Sequence, residues 1–250
     1  MTYGRDSLGR IETKTETVLG VTHTNVYGYD LGGRLATVTA DGSSTVTYTY
    51  DDNGNRLTRQ TTGGGIESGT YDDQDRVLTY AGAAYEYTAT GELASRTIGG
   101  STTTYEYDPL GRLRRVTKPD GTVIEYVLDG QDRRVGKKVD GTLVQGFLYE
   151  GDIRIAAELD GAGNVVSRFV YGTRPNIPEY LVKAGTAYRI IADHLGSPRL
   201  VIDTVTGAVV QEMTYDELGR VLADSNPGFQ PFGFAGGLYD QTTACPLRVP

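Results

Sequence analysis

A seven-residue pattern, Tyr-Asp-x-x-Gly-Arg-Leu, recurs along this chain and limits its fold more than any other feature. It is clearest at Tyr29-Asp30-Leu31-Gly32-Gly33-Arg34-Leu35, at Tyr107-Asp108-Pro109-Leu110-Gly111-Arg112-Leu113 and at Tyr215-Asp216-Glu217-Leu218-Gly219-Arg220-Val221. Tyr50-Asp51-Asp52-Asn53-Gly54-Asn55-Arg56-Leu57 reads as a copy with one extra residue, and in Tyr71 to Val77 Asp75 replaces the glycine. Tyr87 to Leu93 has lost both Asp and Arg. Asp30, Asp51 and Asp72 are spaced 21 residues apart. Fixed-period self-similarity of this kind marks a repeat architecture, in which one unit buries its face only against its neighbours. Tyr ends a strand with a wide amphipathic ring. Asp accepts hydrogen bonds from backbone N–H groups two residues on, and Gly supplies positive φ at the reversal. Arg and Leu are expected to open the next strand, with Arg in reach of a neighbouring repeat's Asp.

Between these copies lies a second turn signal, Asp-Gly, at Asp41, Asp120, Asp129, Asp140 and Asp160. Asp-Gly between strands predicts a hairpin. Turns thus alternate roughly every ten residues, leaving strands of about six residues. That spacing predicts an antiparallel meander, nearly free of helix, with Asp30, Asp51, Asp108 and Asp216 at turns. Within one strand Val46, Tyr48 and Tyr50 point one way and Thr45, Thr47 and Thr49 the other. From Val144 to Tyr171 the strands read as longer and more apolar, at Phe147-Leu148-Tyr149, Ile153 to Leu159 and Val165 to Tyr171. A Pro-rich loop, Gly172 to Pro178, follows. Residues 187–223 read as three strands with turns at Asp193 to Ser197, Thr204 to Gly207 and Asp216 to Gly219. No linker separates two domains.

Composition excludes several functions. Net charge is −8, which disfavours nucleic acid, since phosphate contact is driven by Lys and Arg. A lone cysteine, Cys245, permits no internal disulfide and no Cys-based zinc site. No apolar run is long enough for a membrane span, and Met1 to Arg10 lacks signal-peptide character. His194 beside Asp193 invites a catalytic pair, but no nucleophile stands at a matching spacing, so a turn role is preferred. Asp51 to Asn55 lacks the distant Glu of a calcium loop. Gly63-Gly64-Gly65 is followed by no Lys-Ser/Thr, so it is no phosphate loop. No metal, cofactor or catalytic residue is expected, and the chain reads as a non-enzyme. Eighteen tyrosines suit strand packing, with sugar stacking as the alternative.

The tandem Tyr-Asp turns resemble the YD repeats of RHS proteins. The block Glu158 to Gly172, then Asp193-His194-Leu195-Gly196-Ser197-Pro198-Arg199, then Tyr215 to Leu222, then Pro231 to Asp240, is similar to the RHS-associated core. The resemblance implies an all-β fold of tandem antiparallel hairpins forming part of a spiralling β-shell. It divides the chain into a YD-repeat region at 1–143, a core-like region at 144–240 and a divergent tail at 241–250. The turn residues are then Tyr29, Asp30, Gly33 and Arg34; Tyr50, Asp51 and Gly54; Tyr107, Asp108, Gly111 and Arg112; and Tyr215, Asp216, Gly219 and Arg220. Asp193, His194 and Gly196 form the core motif. The implied partners are the remainder of a shell and an encapsulated C-terminal toxin, in a bacterial protein that is secreted or displayed at the cell surface. The alternative is a cell-surface module that contacts glycans or proteins through its β-surface.

In toxin-bearing members an Asp-based self-cleavage site follows the core, so no catalytic residue is assigned here and no self-cleavage is expected. Past Thr243 the family pattern stops. Ala244 stands where a turn glycine is expected, and Pro246 and Pro250 remove strand donors. An abrupt change of every following residue suggests a frameshifted or truncated gene, the alternative being a naturally divergent end.

Overall fold

A computed structural model describes residues 1–243 and shows 22 strands among them, with one 3-10 turn at Phe234–Gly236. The expected all-β, nearly helix-free architecture is what the chain adopts. It forms two units.

The first unit comprises Met1–Thr88 with Ser95–Ser101. Its strands are β1 (Thr2–Arg5), β2 (Ile11–Val18), β3 (Val21–Tyr29), β4 (Leu35–Ala40), β5 (Ser44–Tyr50), β6 (Arg56–Thr61), β7 (Ile66–Tyr71), β8 (Val77–Tyr80) and β9 (Ala83–Tyr87). Each pairs antiparallel with the next. The chain passes to the second unit through β10 (Leu93–Ile98) and β11 (Ser101–Tyr107).

The second unit continues the meander with β12 (Leu113–Thr117), β13 (Val123–Leu128), β14 (Arg134–Val139), β15 (Thr142–Glu150), β16 (Arg154–Asp160) and β17 (Val165–Val170). Then come β18 (Tyr180–Lys183), β19 (Thr186–Ala192), β20 (Pro198–Asp203), β21 (Val209–Tyr215) and β22 (Val221–Asp224). From β11 to β22 every consecutive pair is antiparallel. Residues 187–223 hold four strands rather than three, because Val221–Asp224 pairs with β21 after the Asp216 turn. The Pro-rich loop leads into β18, which sequence reading missed. The 143/144 boundary falls inside β15.

Alternation decides what is buried. In β5, Tyr48 is buried and Val46 and Tyr50 half-buried, while Thr47 and Thr49 are exposed. Short strands of this kind expose half of every hairpin, so the fold depends on contact between hairpins. The second unit has the larger core: Phe147, Ile155, Phe169, Leu181, Ile190 and Val201 pack beneath Phe232. The Phe169 and Phe232 rings meet edge to face at 5.0 Å. Phe232 belongs to the segment after β22, which folds back over this sheet face. Gly236 lies so close to the Asn176 carbonyl, at φ +76°, that any side chain there would collide with it. The expectations for Ala244, Cys245 and the two prolines concern residues outside those described.

Candidate functional site

The repeat turn is a closed ring of hydrogen bonds around one carboxylate. In the Asp30 copy, the Asp30 N–H donates to the Arg34 carbonyl at 2.9 Å, and the Gly33 N–H to the Asp30 carbonyl at 3.0 Å. The Arg34 N–H donates to Asp30 Oδ1 at 2.8 Å, and Arg34 Nε to Oδ2 at 2.7 Å. These donors, the Arg34 backbone first, hold the Asp30 carboxyl below the ordinary carboxylate range. Gly33 sits at φ +79°, a conformation that favours glycine. The same ring forms at Asp72, Asp108 and Asp216, each with the Arg four residues on. Arg is therefore a turn residue, and the strand opens at the position after it.

Several copies were misread or missed in sequence. The Asp51 turn has no extra residue: Asn55 fills the Arg position, donating through its N–H to Asp51 Oδ1 and through Nδ2 to Oδ2. Arg56 therefore stands where Leu35 does. Asp129-Gly130 and Asp160-Gly161 are not two-residue hairpins but rings of the same type, closed by Arg133 and Asn164. Asp120 also lacks the positive φ of a mirror-type turn, whereas Asp41-Gly42 and Asp140-Gly141 have it at both positions. Asp6 to Arg10 is a further copy, hidden because Arg5 replaces the tyrosine. In the core motif, Asp193 Oδ1 accepts from Leu195 and Ser197, and Gly196 has φ +97°. Ser197 replaces Arg there and is fully buried, with its Oγ accepting from the Ala235 N–H. His194 is exposed on this turn.

Where Asp takes the glycine position, the preceding turn supplies its partner. Asp75, at φ +62°, accepts from Asn53 and Asn55, and Asp132, at φ +63°, from Arg112. The Arg112–Asp132 pair is the expected pairing of Arg with a neighbouring repeat's Asp, found at one copy among the described residues. Elsewhere Arg reaches a backbone carbonyl: Arg34 that of Asp51, Arg133 that of Gly151.

The tyrosines complete the link between repeats. The Tyr29, Tyr50, Tyr71, Tyr87 and Tyr149 hydroxyls donate to the carbonyls of Ile11, Leu35, Arg56, Val77 and Arg134, each the first residue of an earlier strand. Arg10, Arg34, Arg76 and Arg133 lie over the rings of Tyr29, Tyr50, Tyr87 and Tyr149 at 4.3 to 5.0 Å. Stacked cations and donated hydroxyls together tie each turn to the next. At the opposite edge, turn residues bind back to a strand residue 17 positions earlier, as Asp41 does to Thr24, Thr62 to Thr45, Asp140 to Val123 and Thr204 to Ala187.

A different constellation lies at the end of the second unit. Asp240, one of the core-block residues, is buried on β13 and β14. Lys137 Nζ donates to its Oδ1 at 2.7 Å and the Tyr126 hydroxyl to its Oδ2 at 2.8 Å. Thr242 adds its N–H at 3.0 Å and its hydroxyl at 2.6 Å. Only 9% of the Lys137 side chain and 7% of that of Asp240 are exposed. Burial pushes the Asp240 carboxyl up, but Lys137, Thr242 and Tyr126 outweigh it and hold it below the ordinary range. The Tyr126 hydroxyl is pushed well up by burial and by the Asp240 charge. Lys137, Tyr126 and Thr242 all donate to this one carboxylate, and Lys137 Nζ also donates to the Thr242 hydroxyl at 2.7 Å, so the cluster acts as a clasp. Nothing in the sequence points to it, since Lys137 and Asp240 share no motif.

Among known proteins, the description Teneurin YD-shell names the family whose model matches residues 1–247. Teneurin-3 of Danio rerio is 30% identical over 252 aligned residues, covering 97% of this chain and 9% of that protein. Teneurin-4 of Mus musculus is 28% identical over 222 residues, covering 87% and 7%. The chain thus spans less than a tenth of the length of these relatives. Among solved structures, a crystal structure of TcdB2-TccC3-Cdc42 aligns over 95% of this chain and 18% of its own, at 11% identity and a TM-score of 0.46. With Tyr-Asp turns latched hairpin to hairpin, and a family match that runs over nearly all its residues, the chain belongs to the teneurin YD-shell family.

Proposed function

We propose that the chain is a stretch of wall in a longer YD-shell protein, and that the wall encloses a toxin domain carried on the same polypeptide. The observation that carries this reading is the double latch. In both units hairpins are fastened to their neighbours by groups internal to the repeat, through Tyr29, Tyr50, Tyr71, Tyr87 and Tyr149 at one edge and Asp41, Thr62, Asp140 and Thr204 at the other, so hairpins add one after another without a new kind of contact. A wall made this way suits enclosure, and its place of action is outside the producing cell, secreted or at the surface.

The test uses the chain expressed together with its flanking coding sequence. A downstream domain that resists protease while the wall is folded, and is digested once the wall is unfolded, is the expected result. A downstream domain as protease-sensitive as the same domain alone, or no encoded domain on either side, overturns the reading.

A further inference from the structure

The clasp on Asp240 has a counterpart inside the first unit. Around Asp129, Tyr126 pairs with Lys137 and Leu128 with Arg134 across β13 and β14, with a bulge just before Leu128. Around Asp51, Tyr48 pairs with Arg59 and Tyr50 with Arg56 across β5 and β6, with a bulge just before Tyr50. Tyr48, Arg56 and Arg59 therefore occupy the positions of Tyr126, Arg134 and Lys137 at one constant offset along the chain. The bulge matters. It places Arg56 and Arg59, three residues apart, on the one face that Tyr48 and Tyr50 share.

The two clusters also share side-chain geometry. Arg134 lies 3.8 Å from the Tyr126 ring centre, and Arg56 lies 5.7 Å from that of Tyr48. In the second unit, the phenol and ammonium donors end on one carboxylate. In the first, the Tyr48 hydroxyl, Arg56 Nε and Arg59 Nε are buried donors with no acceptor in hydrogen-bond range. Tyr48 is 5% exposed. Arg59 meets Glu67 only at 3.5 Å, and Arg56 has no carboxylate within ion-pair distance among the described residues. Lys137 faces neutral Gln145 where Arg59 faces Glu67, so two guanidinium groups against one carboxylate leave the first-unit cluster with one net positive charge. Tyr80, its ring 4.7 Å from Arg56, forms the far wall. Buried donors without acceptors are costly, and a cation among them selects an anion of matching geometry.

We propose that Tyr48, Arg56 and Arg59 form a second carboxylate-binding site, which takes the Asp or Glu side chain of a peptide segment as Tyr126 and Lys137 take Asp240. The ligand chemistry is a peptide carboxylate at the start of a turn, of the kind that Asp240 to Thr243 presents to the second unit.

The experiment uses the full chain and a synthetic peptide with the sequence of residues 237–243, a version of it with Asn for Asp, and acetate alone. Hydrogen exchange is followed across 44–61 and 77–80, which distinguishes this site from the Asp240 clasp. The expected result is slowed exchange in both stretches with the Asp peptide. Affinity should fall about tenfold or more with the Asn peptide, as expected for loss of a charge-assisted hydrogen bond. R59Q and Y48F should weaken binding similarly, while R59K retains most of it. Protection by acetate at a concentration close to that of the peptide supports the carboxylate site and assigns it to free small carboxylates. Absence of protection with both probes overturns the proposal, as does equal binding of the Asp and Asn peptides. The peptide pair and Y48F keep the test decisive if R59Q does not fold.

Discussion

The Arg34 guanidinium lies 4.9 Å from the centre of the Tyr50 ring while its Nε remains bound to Asp30. One side chain thus closes its own turn and supports the tyrosine of the next. The Tyr50 hydroxyl answers by donating to the carbonyl of Leu35, the residue after Arg34. Packing of short, half-exposed strands is weak, so such links carry much of the cohesion between hairpins.

The hydroxyl can be isolated from the ring. Y50F keeps the stack on Arg34 and removes only the bond to Leu35. It should lower the unfolding free energy by about 1 kcal/mol, as for a single neutral hydrogen bond. Y50A removes the ring as well and should cost about 2 kcal/mol more. Chemical denaturation of the three proteins measures both steps. Equal stability of Y50F and wild type would show that water replaces the link without loss.

The glycine of the turn is replaceable by Asp but not by Ala. Gly33 has φ +79°, so G33A should cost about 1–2 kcal/mol. A Cβ at Gly33 would lie 3.8 Å from Arg10 Nη1. That is the arrangement in which Arg112 holds Asp132. G33D should therefore be less destabilising than G33A, and the gap should shrink at high salt as the ion pair is screened. Thermal unfolding at low and high salt measures it.

Three hairpins are built on unfavourable turn residues. Leu19, Ala81 and Ala184 all sit at φ +50°, ahead of Gly20, Gly82 and Gly185. Asn tolerates this region far better, so A81N and A184N should each raise stability by about 0.5–1 kcal/mol. An unchanged or lower melting temperature in both would show that positive φ at these alanines costs the fold nothing.

These turns also explain what was legible in the sequence. Asp30 to Arg34 could be read because every group of the ring lies within five residues. Asp-Gly alone misled at Asp129 and Asp160, since the dipeptide fits either a mirror-type turn or a ring. Arg133 and Asn164, four residues past each Asp, decide between them, and that signal was present. Asp6 was hidden by the loss of a tyrosine that the ring itself does not use. The Asp240 clasp was illegible for a different reason. It joins a strand pair to a segment 103 residues away through Lys137, and burial across such a distance leaves no periodicity to detect. The parallel between Tyr48-Arg59 and Tyr126-Lys137 depends on strand register and on the bulge, which no local pattern encodes.

The clasp makes the sharpest prediction. Lys137 and Asp240 are both buried, so removing one partner strands the other without solvent. D240N should therefore destabilise the chain by about 3–5 kcal/mol near neutral pH, whereas the K137M/D240L pair, which strands no charge and leaves only the neutral Tyr126 and Thr242 donors without Asp240, should cost less. Acid should narrow the difference between wild type and D240N. Folding lowers the Asp240 pKa from its value in the unfolded chain, so the native state binds fewer protons there. The stabilisation is full above the unfolded carboxylate pKa, about 4. It is lost as pH falls through the still lower folded value. Urea unfolding of wild type and D240N should thus diverge most above pH 5 and converge below pH 4. The other turn carboxylates titrate in both proteins and cancel in the comparison. A constant gap from pH 7 to pH 3 would mean that Asp240 is not held as an ion pair. A D240N protein as stable as wild type at neutral pH would mean that the clasp contributes nothing to the fold.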